Sequence, residues 1–198
     1  CFFFVRTFLQ SLILISHALL TSVAFSENPD FRMTTDDMVI IPSSKFMMGC
    51  NQFGPMHGAP EHLVYLNEFM IDRFEVTNKR FEEIIPDHKN RRSRLSSCDD
   101  CPVTNVSWFE ALDYCYLTGK TLPTEAQWEK AATNGNGCEF PWGSEFDLSN
   151  NQGRGGLKMK DKSAPVGSYP PNIHGVFDMG GNVWEWVSDW MSPSYISS

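Results

Sequence analysis

The sequence predicts one α+β domain with little regular secondary structure, built from a few short antiparallel strands and a few short helices. At 198 residues with 41% hydrophobic residues, the chain can bury one sizeable core. Residues 38–42 and 45–49 are predicted as two short strands around a turn, and residues 63–71 as a further extended segment. After Gly135 periodicity almost disappears, so we expect ions or disulfides to hold the long loops in place.

Three helix starts carry a capping signal. Thr77 can cap a short helix, which must end before Pro86 because the residue preceding a proline avoids the helical region. Residues 107–110 (SWFE) form a capping box, and the helix that follows is predicted to end at Gly119. Residues 124–127 (TEAQ) repeat the capping box, so two short helices are expected to follow one another.

The N-terminal segment has the features of an export signal. Arg6 precedes a mostly apolar run, and residues 22–24 (SVA) have the small-x-small pattern that signal peptidase cleaves. We therefore assign residues 1–24 to a signal peptide, residues 25–37 to a linker and residues 38–198 to the domain. The alternative is a transmembrane anchor, although polar residues interrupt a run that would need about 20 apolar positions. We expect an exported protein, periplasmic or secreted, with a membrane partner only if this segment is not cleaved.

The charge balance argues against a nucleic-acid partner. The chain has 16 Lys and Arg against 24 Asp and Glu, a net charge of -8, whereas binding to a phosphate backbone relies on clustered cations. Arg91, Arg92 and Arg94 form a local basic run. No aromatic residue is interleaved with these arginines to stack on bases, so we interpret the run as a solvated loop.

The cysteine count is odd once the export signal is removed. Five cysteines remain, which in an exported chain means that at least one is unpaired or has a partner elsewhere: Cys50, Cys98, Cys101, Cys115 and Cys138. Cys98 and Cys101 form a CxxC motif that could serve redox chemistry or a metal, but a second pair at zinc spacing is absent from the sequence and the histidines are scattered. A structural disulfide is the other interpretation, and the sequence favours it.

Residues 178–185 (DMGGNVWE) carry the clearest chemistry. Asp178 and Glu185 are seven positions apart with a Gly-Gly turn between them, so the segment can fold back until both carboxylates face one point. Carbonyl oxygens in the bend can fill the remaining positions, and calcium prefers such oxygen-only coordination in a flexible loop. From the residues alone, a tight acidic turn and an ion site both remain open.

Other motif residues have structural explanations. Glu75, Glu125 and Glu129 lie beside predicted buried positions, where an ionised carboxylate is costly unless it is paired, so we interpret them as structural polar anchors rather than catalytic groups. The six tryptophans are interpreted as core residues, each of which needs one partner for its indole N–H: Trp108, Trp128, Trp142, Trp184, Trp186 and Trp190.

Seven short motifs follow one another between about residue 38 and residue 190: residues 41–49 (IPSSKFMMG), 71–78 (IDRFEVTN), 102–111 (PVTNVSWFEA), 122–129 (LPTEAQWE), 141–143 (PWG), 164–167 (APVG) and 181–190 (GNVWEWVSDW). Their order resembles that in the sulfatase-modifying factor (formylglycine-generating enzyme) family. Each motif alone is weak, but their joint occurrence in this order is specific. The resemblance implies a variant of the C-type lectin-like fold supported by bound calcium.

The resemblance also implies a ligand set. Calcium would be bound by the side chains of Asp178 and Glu185 and by the carbonyl oxygens of Gly181 and Val183. A second calcium site of the family would use Asn150 or Asn151. Its acidic partner is not in register here, because Asp161 lies too close to Ala164 and Pro165.

Family members that make formylglycine oxidise a cysteine of a sulfatase with copper and molecular oxygen, through a cysteine pair that follows an R-G-G-S segment. That segment would lie beyond residue 198, so the resemblance implies an oxidase in the full-length protein, with copper only if the pair is present there, and an inactive fragment here. It also implies that Cys115 pairs with a cysteine of the closing segment. A non-catalytic lectin-like module that binds a peptide, glycan or cell-surface partner is the alternative. A third possibility is an iron-dependent sulfoxide synthase, which would add a His-rich helical domain.

Overall fold

The computed structural model describes residues 5–6, 37–51, 60–133, 140–143 and 162–190. The strands are β1 Val5–Arg6, β2 Met38–Ile41, β3 Ser44–Met48, β4 His62–Leu66 and β5 Phe69–Asp72. The helices are α1 Asn78–Ile84, the 3-10 helix Pro86–Arg91, α2 Trp108–Leu117 and α3 Glu125–Ala132. None of the helices in these ranges is long and apolar enough to cross a bilayer. Short strands and short helices joined by loops are the architecture that the sequence predicts.

Two small antiparallel sheets organise the first third of the domain. In the first, β5 lies between β1 and β2, with Val39 of β2 opposite Ile71. In the second, β3 pairs with β4. β1 pairs Val5 with Ile71 from the other side, although Val5 belongs to the segment predicted as a signal peptide. Cleavage after residue 24 would therefore leave β5 with one neighbouring strand.

Two apolar clusters form the core. One joins α1 and α2 to the loops around them, and its buried members are Val76, Phe81, Val103, Ala111, Tyr114, Cys115 and Leu122. The other packs the first sheet against α3 and the loop before the bend, and its buried members are Ile41, Phe69, Ile71, Ala131, Ala132, Val176 and Met179. Val183 packs against the first cluster and Met179 belongs to the second, so the candidate ion-binding bend is held by both.

A buried ion pair links the first sheet to the end of α2. Asp72, at the end of β5, is 2% exposed and accepts from the ammonium group of Lys120 through both carboxylate oxygens, at 2.6 and 2.8 Å. Burial raises the pKa of Asp72, and the Lys120 charge opposes that shift. Gly119, immediately before Lys120, has a φ of 67° and ends the helix as predicted.

The three predicted helix caps are confirmed. The Thr77 hydroxyl accepts from the backbone N–H of Arg80 at the start of α1. Both capping boxes are formed, by Ser107 with Glu110 before α2 and by Thr124 with Gln127 before α3. These contacts are local in sequence, which is why the pattern of residues was enough to predict them.

Glu110 makes a pH-dependent contribution to stability. Its carboxylate accepts from the backbone N–H of Ser107 at 2.8 Å and from Arg91 at 2.6 Å, and these bonds lower its pKa to about 2. Because this folded-state pKa lies below the ordinary value of 4.5, the stabilisation is present above pH 4.5 and is lost as the pH falls towards 2. We expect Glu110→Gln to lower the free energy of unfolding by about 1 kcal/mol at pH 7. Urea denaturation across this pH range should show a flatter profile for the variant, and an equally steep one would contradict the assignment.

The described cysteines are mostly oxidised. Cys98 and Cys101 are joined, with an S–S distance of 2.07 Å, which confirms the disulfide that the sequence favours for the CxxC motif. The side-chain amide of Asn78 donates to the carbonyl oxygens of Ser96 and Cys98, both at 2.8 Å, so the disulfide loop is fastened to the start of α1. Cys50 is also disulfide-bonded. Cys115 is free and buried, and Cys138 lies outside the described residues.

The interpretation of all six tryptophans as core residues is wrong for three of them. Trp184 is 91% exposed, Trp190 79% and Trp186 42%. Their indoles project from the bend and from the segment after it, while the indole N–H of Trp186 still donates to the carbonyl of Val106 at 3.1 Å. A bonded indole N–H therefore does not require a buried ring, because a backbone carbonyl at the surface satisfies it equally well.

Candidate metal centre

Asp178 is held in a left-handed backbone conformation with its carboxylate turned inwards. Its φ is 61° and its side chain is buried, with 2% of the residue exposed. Oδ2 accepts from the backbone N–H of Gly167 at 2.7 Å, whereas Oδ1 has no hydrogen-bond partner among the described residues. Burial raises the pKa of Asp178 to about 6. A buried carboxylate oxygen without a donor is costly, so this atom needs a cation, a proton or a water.

A small cavity adjoins Asp178, but Gly181, Val183 and Glu185 do not line it. This cavity of about 30 Å³ is lined by Asp178 together with Pro141, Trp142, Pro170, Pro171, Asn172, Val176, Met179 and Gly180. That volume is enough for about one water molecule. The Gly180 position admits no side chain, because a Cβ there would lie 2.5 Å from Cζ3 of Trp142. The first glycine of the Gly-Gly turn is thus required by the close approach of this indole.

Glu185 is positioned by α3. The indole N–H of Trp128 donates to Glu185 Oε2 at 2.9 Å, which places this carboxylate against the inner side of the bend. Burial raises the pKa of Glu185 well above its usual range, and the negative charge of Asp178 contributes in the same direction. The negative charge of Asp178 makes a smaller contribution to this rise in the pKa of Glu185 than burial does.

A third carboxylate contacts the bend through Asn182. Glu75 is fully buried, and its Oε2 accepts from the side-chain amide of Asn182 at 2.6 Å. Glu75 Oε1, like Asp178 Oδ1, has no hydrogen-bond partner within the described ranges. Burial raises the pKa of Glu75 well above its usual value, and the charges of Glu185 and then Asp178 add to the shift. The sequence pattern predicts a structural role for Glu75 and does not indicate its contact with the acidic bend.

The oxygen atoms at the bend are of the kind that calcium binds. In the part of the chain that the structure describes, no three His, Cys, Asp or Glu side chains converge tightly enough to hold an ion by themselves. A site at residues 178–185 would therefore also need carbonyl oxygens, as predicted for Gly181 and Val183. The Gly181 carbonyl already accepts from the backbone N–H of Val183 at 2.9 Å, which leaves one of its lone pairs for an ion. Oxygen ligands of mixed type suit calcium, and the unpartnered oxygens of Asp178 and Glu75 are of that type. The predicted second site at Asn150 and Asn151 lies outside the described residues.

The other two predicted polar anchors differ from each other. Glu129 Oε1 accepts from the backbone N–H of Gly49 at 2.8 Å, which ties α3 to the end of the second sheet and fits a structural role. Glu125 is exposed, and at this position it is the backbone N–H that makes the contact, donating to Asp189 at 2.6 Å. The anchor interpretation is therefore wrong for the Glu125 carboxylate.

The described residues do not fit a copper site. Copper(I) prefers a pair of thiolates. Cys50, Cys98 and Cys101 are all in disulfides. Cys115 is buried, and burial raises the pKa of its thiol far above the ordinary range, so it remains protonated. No part of the reaction expected from the family resemblance can be assigned to these four cysteines.

The basic run contacts acidic side chains of the same domain. Arg91 binds Glu110 at 2.6 Å, while Arg92 binds Glu82 at 2.6 Å and Asp99 at 2.8 Å. Two of the three arginines are thus paired within the domain. The run is not simply a solvated loop, because Arg91 ends the 3-10 helix and the Arg92 side chain is only 15% exposed.

Comparison with known proteins decides the family. The model of the sulfatase-modifying factor enzyme 1-like domain matches residues 24–197. The chain belongs to this family. The formylglycine-generating enzyme of Streptomyces coelicolor is 33% identical to the sulfatase-modifying factor domain described here, over 82% of this chain and 71% of that enzyme.

The chain matches a different share of each of two further relatives. The serine/threonine-protein kinase Pkn1 of Chlamydia trachomatis is 32% identical over 82% of this chain, which spans only 29% of that kinase. The solved structure of PvdO from Pseudomonas aeruginosa superposes with a TM-score of 0.62 at 28% identity, covering 78% of this chain and 71% of PvdO. The predicted fold class, α+β with little regular secondary structure in the sulfatase-modifying factor arrangement, is confirmed.

Proposed function

We propose that the protein containing this domain oxidises a cysteine of a sulfatase-type peptide to formylglycine. The match to the family over residues 24–197 carries this proposal, and the similarity to the Streptomyces coelicolor formylglycine-generating enzyme supports it. The substrate would be a protein or peptide that presents a cysteine in an accessible segment. Export through residues 1–24 is part of the same proposal, since it would bring the domain to the compartment in which exported sulfatases mature.

The reactive thiols of this oxidase are proposed to lie outside the described residues. The four described cysteines supply no pair of thiolates, since three are in disulfides and Cys115 is buried. Copper is accordingly proposed only for a protein that carries the cysteine pair elsewhere, and residues 1–198 alone are proposed to be inactive. The match to this chain covers 71% of the Streptomyces enzyme, so about 29% of that enzyme lies outside the match.

Calcium is proposed as a structural ion at the bend of residues 178–185. The ion would hold the carboxylates of Asp178 and Glu185 together and offset the cost of burying them, since burial raises the pKa of both groups. A bend fixed in this way would order the loops that a peptide substrate contacts, without taking part in the oxidation itself.

The oxidase proposal is tested by trapping its product. The full-length protein, loaded with copper, is incubated with a sulfatase-motif peptide containing one cysteine, and the aldehyde is captured with an aminooxy probe and located by mass spectrometry. A matched peptide with serine in place of the cysteine is the control. We expect the probe only on the cysteine peptide. A full-length protein that binds copper and leaves the cysteine unmodified would refute the proposal.

A non-catalytic binding module is the second candidate. The similarity to Pkn1 favours it, because there the domain is a minor part of a protein with another named activity. This module would bind a peptide or glycan through its loops without changing it. Recovery of the intact cysteine peptide in a stable complex with the full-length protein would support the module over the oxidase.

A further inference from the structure

Glu75 lies at a rigid point of the fold and contacts the bend from outside it. It follows β5, which ends at Asp72, and precedes α1, which begins at Asn78. The neighbouring Val76 is a core residue, and its carbonyl accepts from the backbone N–H of Val103 at 2.8 Å. The backbone that carries Glu75 is therefore fixed by packing and hydrogen bonds on both sides, so its carboxylate can hold other groups in place.

Asn182 is the residue that Glu75 holds. It lies between Gly181 and Val183, the two residues whose carbonyl oxygens would bind the ion, and it has a left-handed backbone with a φ of 64°. Its side-chain amide donates to Glu75, and its Oδ1 accepts from the backbone N–H of Ala164 at 2.9 Å. The amide also donates to the carbonyl of Ala164 at 3.3 Å. One side chain thus joins the buried carboxylate, the bend and the neighbouring loop.

We propose that Glu75 is a positioning residue for the ion site: by holding the Asn182 amide it keeps the carbonyl groups of Gly181 and Val183 directed towards the cation. This inference rests on the calcium proposed above. Its second support is the unpartnered Oε1 of Glu75, a fully buried oxygen of the same carboxylate that holds Asn182. This oxygen accepts no hydrogen bond from the described residues. A cation at the bend would stabilise its negative charge instead.

A purely structural role for Glu75 predicts a different outcome. As a core anchor it would stabilise the fold equally with and without calcium, and its loss would leave the affinity of the folded protein for calcium unchanged. As a positioning residue it must change that affinity, because outer groups that orient metal ligands typically alter affinity by about 10- to 100-fold when they are removed.

Calcium titration calorimetry on the full-length protein separates these roles. Glu75→Ala is expected to raise the Kd for calcium by about 10- to 100-fold. Glu75→Gln keeps an oxygen that can accept from Asn182 but loses the negative charge, and it is expected to restore part of the affinity. Asn182→Gly, which tolerates the left-handed backbone, is expected to reproduce the loss, and combining it with Glu75→Ala should add little.

The control is Glu82→Ala, which removes another poorly exposed glutamate that binds Arg92 and lies in a different part of the fold. It should lower the melting temperature without changing the Kd. An unchanged Kd in folded Glu75→Ala, or an equal loss in Glu75→Gln and Glu75→Ala, would overturn the positioning role while leaving the calcium site intact. No calcium binding by the unsubstituted protein would overturn the site and this inference together, and the aldehyde assay remains an independent test of the oxidase.

Discussion

Removing calcium from the purified protein is expected to lower its melting temperature by about 5 to 10 °C. A ligand present at 100 times its Kd stabilises the native state by about 3 kcal/mol, and a domain of this size shifts by about 2 to 4 °C per kcal/mol. The physical reason is the acidic bend, where burial raises the pKa of Asp178 to about 6 and leaves Oδ1 without a partner. Differential scanning calorimetry in calcium and in chelator measures the difference.

The variant that should abolish this calcium response is Asp178→Gly. Glycine adopts the φ of 61° without strain, so the substitution removes the carboxylate while preserving the backbone. Asn105→Gly is the matched control, because Asn105 also has a left-handed backbone, with a φ of 58°, and its side chain donates to the carbonyl of Arg91 at 3.1 Å rather than to the bend. We expect Asn105→Gly to respond to calcium as the parent does. An identical calcium response in Asp178→Gly would exclude the ion from this bend.

Replacing Lys120 with methionine is expected to destabilise the protein by about 3 to 5 kcal/mol at pH 7, because it leaves the buried Asp72 carboxylate without its cation. The pKa of Asp72 is already raised by burial, and the loss of Lys120 removes the main opposing effect. A raised folded-state pKa means that stability is lost as the pH rises above the ordinary value of 3.8. The deficit of the variant should therefore be larger at pH 7 than at pH 4, as measured by chemical denaturation.

Two further variants identify the origin of this effect. Adding Asp72→Asn to Lys120→Met neutralises the buried group and should recover much of the lost stability. Arg91→Met removes a partly exposed ion pair, since the side chains of Arg91 and Glu110 are 47% and 30% exposed, and should cost less than about 1 kcal/mol. Equal losses for Lys120→Met and Arg91→Met would show that burial of Asp72 does not control the energetics of its ion pair.

The features that the sequence predicts well are local. Thr77, Ser107 and Thr124 cap their helices through contacts that span three residues, and Gly119 ends α2 through its own backbone preference. The CxxC disulfide closes over three positions in the same way. Such contacts depend only on residue types that are close together in the chain, so a single sequence is enough to predict them.

The features that the sequence did not predict depend on contacts between distant segments. Glu75 and Asn182 are 107 positions apart, and Asp72 and Lys120 are 48 positions apart. Nothing in either local pattern indicates which of the chain's many charged and amide groups will meet. The exposure of Trp184 was missed for a related reason, because the hydrophobicity of a side chain does not determine which face of a bend it occupies.

Because Val5–Arg6 pairs with β5, the predicted cleavage of the signal peptide would expose one edge of the first sheet. If signal peptidase removes residues 1–24 as predicted, β5 changes from a central strand into an edge strand. Its outer backbone N–H and C=O groups are then available to pair with another extended segment. Unpaired rows of this kind recruit further strands. A precursor and its processed product would then share one core yet differ in their tendency to self-associate.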